Sequence, residues 1–391
     1  METFGLPELF KYGARGEMRT WKVYFDGFDI VTVSGVVGGK MVERPTEVVP
    51  KAKRNTHQQA EQEAKSRHKK KKDEGYKENI DEETDEMPHP MEGKIFEERL
   101  ITYPILVQCK ADGVRMICRQ RDGILEATSR RKQEIKFLET LKEEISTYLN
   151  GSDIILDGEL YSLTLPFHKL SGIERKKNEK SEHEDEICYL IFDQMLPNAE
   201  TEERLNGIGA PIHSWGEEVK GKKVIDGKGT DLSPFLKKIS PHLFIMRNWI
   251  ISDETELQEV EELAAELGFE GLMVRHLTGK YVYYKNSRCP NLLKIKKYFD
   301  AEGEIVGFGE GTGTEKGKVI WLVKLLADEI KGVQIAAGEV IKMRPQGDFD
   351  DREGWFENGD QYIGKIVTYK CLQINEDTGI PREPCVLRFK E

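Results

Sequence analysis

The chain has 391 residues, a net charge of −11 and 33% charged side chains, which is length enough for two or three domains with cores of their own. Its six cysteines are scattered without a C-x-x-C pair, which argues against a zinc site or a disulfide framework and fits a reducing, cytoplasmic setting. No apolar run is long enough to span a membrane and the N-terminus lacks the apolar core of a signal peptide, so the sequence reads as soluble with no membrane partner. The acidic balance runs against a uniformly basic nucleic-acid binder, but runs at 81–86 and 182–186 hold much of the excess and leave basic stretches elsewhere.

Residues 1–80 form the first expected unit. MRTWKVYF (18–25) has the alternation of a strand, Asp26-Gly27 and Gly38-Gly39 are turn signals, and a polar helix is expected over 56–72, ending near Gly75. Its lysine run, Lys69 to Lys72, is either a phosphate-contacting face or a solvated helix end. An acidic, proline-bearing linker is expected over 81–90. A mixed α/β segment follows over 91–298, with strands at 103–107, 114–119 and 124–128, the last two joined at Asp122-Gly123. Helices are expected at 137–149 (Leu138, Leu141 and Ile145 on one face) and at 254–267 (Leu257, Val260, Ala264 and Leu267, capped by Ser252 or Asp253). Between 196 and 245 the pattern supports no topology. From 299 to 391 short strands and Gly-rich turns suggest a small β-barrel. The loop GFGEGTGTEKGK (307–318) fails the Walker spacing and reads as a hairpin loop.

Five stretches carry candidate chemistry. In QCKADGVR (108–115) Lys110 stands where a strand ends and a glycine turn begins. A lysine amine there suits nucleophilic work, and the plainer alternative is a surface lysine at a hairpin. ILDGELY (155–161) puts Asp157, Glu159 and Tyr161 on one face. CYLIFDQM (188–195) aligns Cys188, Leu190 and Phe192, EGLMVR (270–275) sets Glu270 before a strand, and LLKIKKY (292–298) places Leu292, Lys294 and Lys296 opposite Leu293 and Ile295. Singly, each has a bland reading: Glu159 and Glu270 as salt-bridge residues, Phe192 as core, the two lysines as a solvated edge.

In order, K-x-D-G-x-R, D-G-E, aromatic-Asp, E-G and L-K-x-K resemble the covalent nucleotidyltransferase superfamily, and cover about three quarters of the chain. Arg130 in ATSRR, HKLSGIERK (168–176), LLKIKKYFDAEGEIVG and TGIPREPCVLRF look most like the compact bacterial and viral ATP-dependent DNA ligases. Two departures stand out. Glu383 follows the Pro-Arg pair where an aromatic is usual, and the chain stops at Glu391, leaving Arg388 as the best candidate for the final motif. Residues 1–80 loosely resemble a WGR domain, a DNA-associated module, through Trp21, SGVVGGK (34–40) and Gly75-Tyr76, although Ser34-Gly35-Val36 replaces the signature triplet. The zinc cysteines and helix-hairpin-helix repeats of NAD-dependent ligases are missing from the sequence.

The resemblance implies an α+β fold: an ATP-grasp-like nucleotidyltransferase domain of antiparallel sheets with flanking helices, then an OB-fold barrel, preceded by the WGR-like β-rich domain. It implies a monomer sealing 3′-OH/5′-phosphate nicks in duplex DNA with ATP and Mg²⁺, for which Mn²⁺ can substitute. Lys110 would take AMP as a lysyl adduct. Asp112 would sit near the metal and the 3′-OH, and Arg115 would hold ribose or the nick terminus. Glu159 and Glu270 would serve Mg²⁺ and ribose hydroxyls, and Phe192 would stack on adenine. Lys294 and Lys296 would supply positive charge at the phosphates, Arg130 would grip the 5′-phosphate, and Arg388 would orient pyrophosphate. Gln108 is an adenine contact or a plain strand residue. An RNA ligase, a capping guanylyltransferase and a non-catalytic DNA-binding adaptor are the rival readings.

Overall fold

The computed structural model describes residues 4–12, 17–50, 54–79, 87–174, 180–283, 288–330 and 332–390. Most of the expected acidic linker, and the last two residues of HKLSGIERK, lie outside the described residues. The chain divides into two units, residues 1–256 with 273–293, and residues 257–272 with 294–391. No described helix is long and apolar enough to cross a membrane.

The first unit begins with an antiparallel sheet in the order Phe4–Gly5, Met18–Phe25, Asp29–Val36, Met41–Glu47, with Leu9–Tyr12 also paired to Met18–Phe25. Strand alternation turns Trp21, Val23 and Phe25 inward, where they meet Ala60 and Ala64 of the helix Thr56–Asp73. That helix is polar on most sides and needs its ends secured. Asn55 accepts from the Gln58 amide at 2.8 Å while the Gln58 side chain accepts from the Asn55 amide at 3.1 Å, a reciprocal cap. At the other end Lys71 pairs with Glu74 and Lys72 with Glu78, both at 2.5 Å, while Lys69 and Lys70 are exposed.

Two six-stranded sheets follow. One runs Leu236–Lys238, Leu243–Met246, Cys188–Gln194, Leu156–Tyr161, Val114–Arg121, Ile124–Ser129. The other runs Ile212–Ser214, Asn248–Ile251, Ile105–Lys110, Gly271–Arg275, Cys289–Lys296, Gly93–Ile95, of which residues 273–275 and 289–293 belong to this unit. The sheets are not wholly antiparallel as expected. Cys188–Gln194 pairs parallel with Leu243–Met246, and Ile212–Ser214 parallel with Asn248–Ile251. A parallel pair needs a long crossover, and the stretch between 196 and 245 supplies one, including the helix Thr201–Gly207.

A second correction concerns Lys110. The strands on either side of its turn belong to different sheets, so the turn is a crossing between sheets and not a hairpin. A true hairpin does form at Asp122-Gly123, both with positive φ (48° and 77°), the two-residue turn that matches strand twist. The helix expected from 137 begins at Glu139, because Phe137 and Leu138 take left-handed backbone angles (φ 61° and 62°) that an α-helix cannot include. Its Leu141, Ile145 and Leu149 then pack against Leu156, Leu160 and Ile191. Leu292 and Leu293, expected on opposite faces, are both buried, so the strand is covered on both sides at these two residues. Cys109, Cys118, Cys188, Cys289 and Cys371 are buried free thiols.

The second unit centres on a closed barrel of Phe299–Glu310, Val319–Leu325, Val340–Pro345, Cys385–Phe389 and Ile366–Cys371. In Val319–Leu325 every second residue (Val319, Trp321, Val323, Leu325) points inward, and these meet Ile305, Met343, Val367, Tyr369 and Val386. The strand continues through Glu310, so residues 307–310 of the expected loop are strand and only the remainder turns. Glu315 in that turn is tied to Arg352, which is buried in the helix Phe349–Glu357.

Candidate functional site

In the first unit the site is built outward from Lys110. Ile105 through Gln108 are fully apolar or hydrogen-bonded and buried, as is Cys109, whose thiol burial pushes well up; Lys110 is the first residue of its strand to reach solvent. Gly113 then lets the crossing chain lie against the strand Leu156–Tyr161. A Cβ at this position would run into the Leu160 carbonyl oxygen and the Glu159 side chain. A glycine after the Asp112 position is therefore a packing requirement as well as a turn signal.

Arg115 lies directly across from Glu159 in the ladder, but its guanidinium reaches diagonally to Asp157. Nε donates to Asp157 Oδ1 at 2.8 Å and Nη2 to Oδ2 at 2.6 Å, while Nη1 donates to the Met91 carbonyl at 2.8 Å. Burial alone would lower the guanidinium's pKa; the bidentate carboxylate outweighs it, and the net shift is upward. Tyr281 donates from its hydroxyl to Asp157 Oδ2 at 2.6 Å and accepts from the Met91 amide at 3.0 Å.

Phe192 sits at an irregularity. Asp157 pairs with Asp193, but the next residue, Gly158, pairs with Ile191, so Phe192 is the extra residue of a β-bulge. A bulge re-aims a side chain out of the regular alternation, and Phe192 is partly exposed between neighbours Ile191 and Asp193, both 0% exposed. The Arg115 guanidinium lies 5.4 Å from its ring centroid.

Beneath this surface lies a second buried network. Asp193 accepts from Arg204 Nε at 2.9 Å and from Arg275 Nη1 at 2.7 Å. Arg275 also donates through Nη2 to Gln108 Oε1 at 3.1 Å, and Gln108 Nε2 donates to the Phe192 carbonyl at 3.0 Å. Both ends of the Gln108 amide are thus engaged inside the protein. Arg204 donates to the carbonyls of Ala199 and Gly279, each at 2.8 Å. Burial pushes the Arg275 guanidinium below its ordinary range, with Asp193 opposing it.

Lys110, Asp112, Arg115, Glu159 and Phe192 therefore stand on the sheet crossing at 110–115 and on two neighbouring strands of one unit, joined through Gly113, the Arg115–Glu159 pairing and the Arg115–Phe192 contact. Arg130 is exposed just past Ser129, with Nε 3.7 Å from Glu92.

In the second unit Lys296 is bracketed by two carboxylates, Glu270 at 3.0 Å and Glu383 at 2.9 Å. Burial lowers the ammonium's pKa, the two carboxylates raise it more, and the result lies above the ordinary lysine value. Gly271 has φ 155°, and a Cβ there would collide with the Ile295 carbonyl, so the glycine after Glu270 permits close approach of the two strands. Lys294 is partly exposed on the same strand as Lys296, and Arg388 is exposed on Cys385–Phe389. Among the described residues no three His, Cys, Asp or Glu side chains cluster as a metal cage. Mg²⁺ is ordinarily held by one or two carboxylates, waters and substrate phosphates, and single carboxylates such as Glu159 and Glu270 fit that manner of binding.

Sequence reasoning missed the paired networks around Asp157 and Asp193. Their signal was available: an Asp inside the apolar runs ILDGEL and LIFDQM must find a cation when buried; Arg115 answers for Asp157, with the Tyr281 hydroxyl beside it, and Arg204 and Arg275 answer for Asp193.

The family model for the ATP dependent DNA ligase domain matches residues 93–296, a little over half of the chain. A DNA ligase of African swine fever virus (isolate Pig/Kenya/KEN-50/1950) is 25% identical over 299 residues, covering 73% of this chain and 63% of that ligase. The DNA ligase of the isolate Tick/South Africa/Pretoriuskop Pr4/1996 is 26% identical over 309 residues, covering 76% and 65%. The chain thus spans somewhat under two thirds of the length of these relatives. A solved structure from a structure-function study of Lig E DNA ligases shares the fold with a TM-score of 0.53 at 21% identity, over 78% of this chain and 100% of that one. With its mixed α/β, sheet-rich fold and the motif series around Lys110 inside the matched span, the chain belongs to the ATP-dependent DNA ligase family.

Proposed function

We propose that the chain is an ATP-dependent DNA ligase that seals 3′-OH/5′-phosphate nicks in duplex DNA. The observation that carries the reading is Lys110 at the solvent end of a buried strand, with Gly113 packing the next segment against Glu159. A lysine amine is protonated at neutral pH and must shed a proton before it attacks. Its nitrogen then forms a bond to the α-phosphorus of ATP while the bond to pyrophosphate breaks. An oxygen of the 5′-phosphate at the nick then bonds to the AMP phosphorus as the bond to the Lys110 nitrogen breaks, and the 3′-OH attacks the 5′-phosphate, forming the phosphodiester and releasing AMP. Lys294 and Lys296 offset charge on the phosphate oxygens, Phe192 stacks on the base, and Arg130 grips the 5′-phosphate. Arg388 orients pyrophosphate. Asp157 and Met91 take three of the five N–H donors of Arg115 and stiffen its place in the site, and the remaining two are left to hold ribose or the nick terminus. Glu159 or Glu270 would hold Mg²⁺, which would supply further positive charge at the phosphates.

The barrel is read as an OB-fold, and the chain as a monomer acting in the cell interior. The N-terminal sheet and helix are read as a WGR-like module whose exposed Lys69 and Lys70 contact DNA phosphates. Replacing both with Gln in the full chain is expected to weaken nick binding and to reduce the slope of log affinity against log salt by about one per lysine; an unchanged salt slope removes the module from DNA contact.

The main reading is tested by incubating the chain with α-labelled ATP, Mg²⁺ and a panel of nicked DNA, RNA and hybrid duplexes. Labelled protein and sealed DNA are expected, and Lys110→Ala is expected to lose the label while staying folded. Label that persists in Lys110→Ala excludes Lys110 as the nucleophile. Sealing of RNA alone moves the reading to an RNA ligase.

A further inference from the structure

Lys296 carries one positive charge and faces two negative ones. Its Nζ lies 3.0 Å from Glu270 and 2.9 Å from Glu383, so a phosphate approaching the ammonium meets two carboxylates already on it. The two carboxylates are not equivalent. The Glu270 side chain is 7% exposed, and the adjoining Gly271 backbone is pressed against Ile295, which fixes it in place. The Glu383 side chain is 53% exposed and sits on the short link between Pro381–Arg382 and Cys385–Phe389. A half-exposed carboxylate can rotate into water at small cost.

The backbone nonetheless aims Glu383 at the ammonium. Its φ is 48°, in the left-handed region that residues other than glycine, asparagine and aspartate seldom enter. Flanking pairs hold that geometry: Arg382 with Gln373 on one side, Cys385 with Lys370 and Arg344 on the other.

We propose that Glu383 is a gate on Lys296: its carboxylate occupies the ammonium in the nucleotide-free chain and swings away when a nucleotide phosphate takes its place. Glu270 stays and keeps the lysine oriented. Glu383 is thus a positioning residue that lowers affinity for ATP and makes phosphate compete for its cation. This rests on the reading that Lys296 receives a phosphate of ATP.

The test uses the full chain with Glu383→Gln and Glu383→Asp. Two quantities are measured: the rate of lysyl-adenylate formation against ATP concentration, and ATP·Mg²⁺ binding by calorimetry in the Lys110→Ala background. Glu383→Gln is expected to lower both KM and Kd for ATP by about two- to fivefold, the range of a half-exposed ion pair, with kcat for adenylylation within about twofold. Glu383→Asp keeps the charge and is expected to retain the parent's affinity. Unchanged or weaker ATP binding by a folded Glu383→Gln overturns the gate, and so does an equal change in both variants, which would mark a packing effect. If the parent chain forms no adenylate, the ligase reading fails and the gate falls with it; adenylate in the parent with no gain in Glu383→Gln defeats the gate alone.

Discussion

Asp193 and Glu383 both bind cations, in opposite ways. Asp193 is 0% exposed and divides its oxygens between two buried guanidiniums, Arg204 and Arg275, whose remaining donors go to Gln108 and to backbone carbonyls. Glu383 is half in water and shares a single ammonium with a second carboxylate. Buried charge of the first kind, out of reach of solvent, fixes geometry. Surplus, half-exposed charge of the second kind can be traded for another anion.

Breaking the first kind should have the largest effect. Asp193→Ala leaves two guanidiniums buried without a counter-charge and is expected to cost about 3–5 kcal/mol of stability, read by urea denaturation. A loss under about 1 kcal/mol would mean that water or a rearranged partner replaces the carboxylate, and the contrast with Glu383 would collapse. Gly113→Ala comes next. The added methyl has to displace the Glu159 strand or the turn after Lys110, so about 1–3 kcal/mol is expected, together with lost adenylylation; full activity in that variant would show the crossing to be more yielding than its packing implies. Glu383→Gln should be smallest, leaving the melting temperature within about a degree or two, since an exposed ion pair contributes little, and showing itself only in the affinity for ATP.

Much of this was legible because periodicity reports what faces the core. MRTWKVYF became the strand Met18–Phe25, and Asp253 caps the helix Glu254–Glu266 by accepting from the Glu256 amide at 3.0 Å. Motif residues such as Lys110, Glu159 and Phe192 are also half-exposed, so their side chains reach solvent. What escaped was long-range. The crossing at Lys110 looks like a hairpin locally, because adjacent strands usually pair; only the competing partners, Asn248–Ile251 for one strand and Leu156–Tyr161 for the other, pull them into separate sheets. The Phe192 bulge depends on register with Leu156–Tyr161, which alternation within one strand cannot reveal. The partners of Asp157 and Asp193 come from as far as 124 and 82 residues away in sequence.

Because the chain changes sheets between Lys110 and Val114, the amine is located by the agreement of two layers and belongs wholly to neither. A small slip of one layer over the other carries Lys110 one way and Arg115, Glu159 and Phe192 the other. Substitutions far along either layer can therefore reach the amine as misalignment, with every side chain of the motif intact.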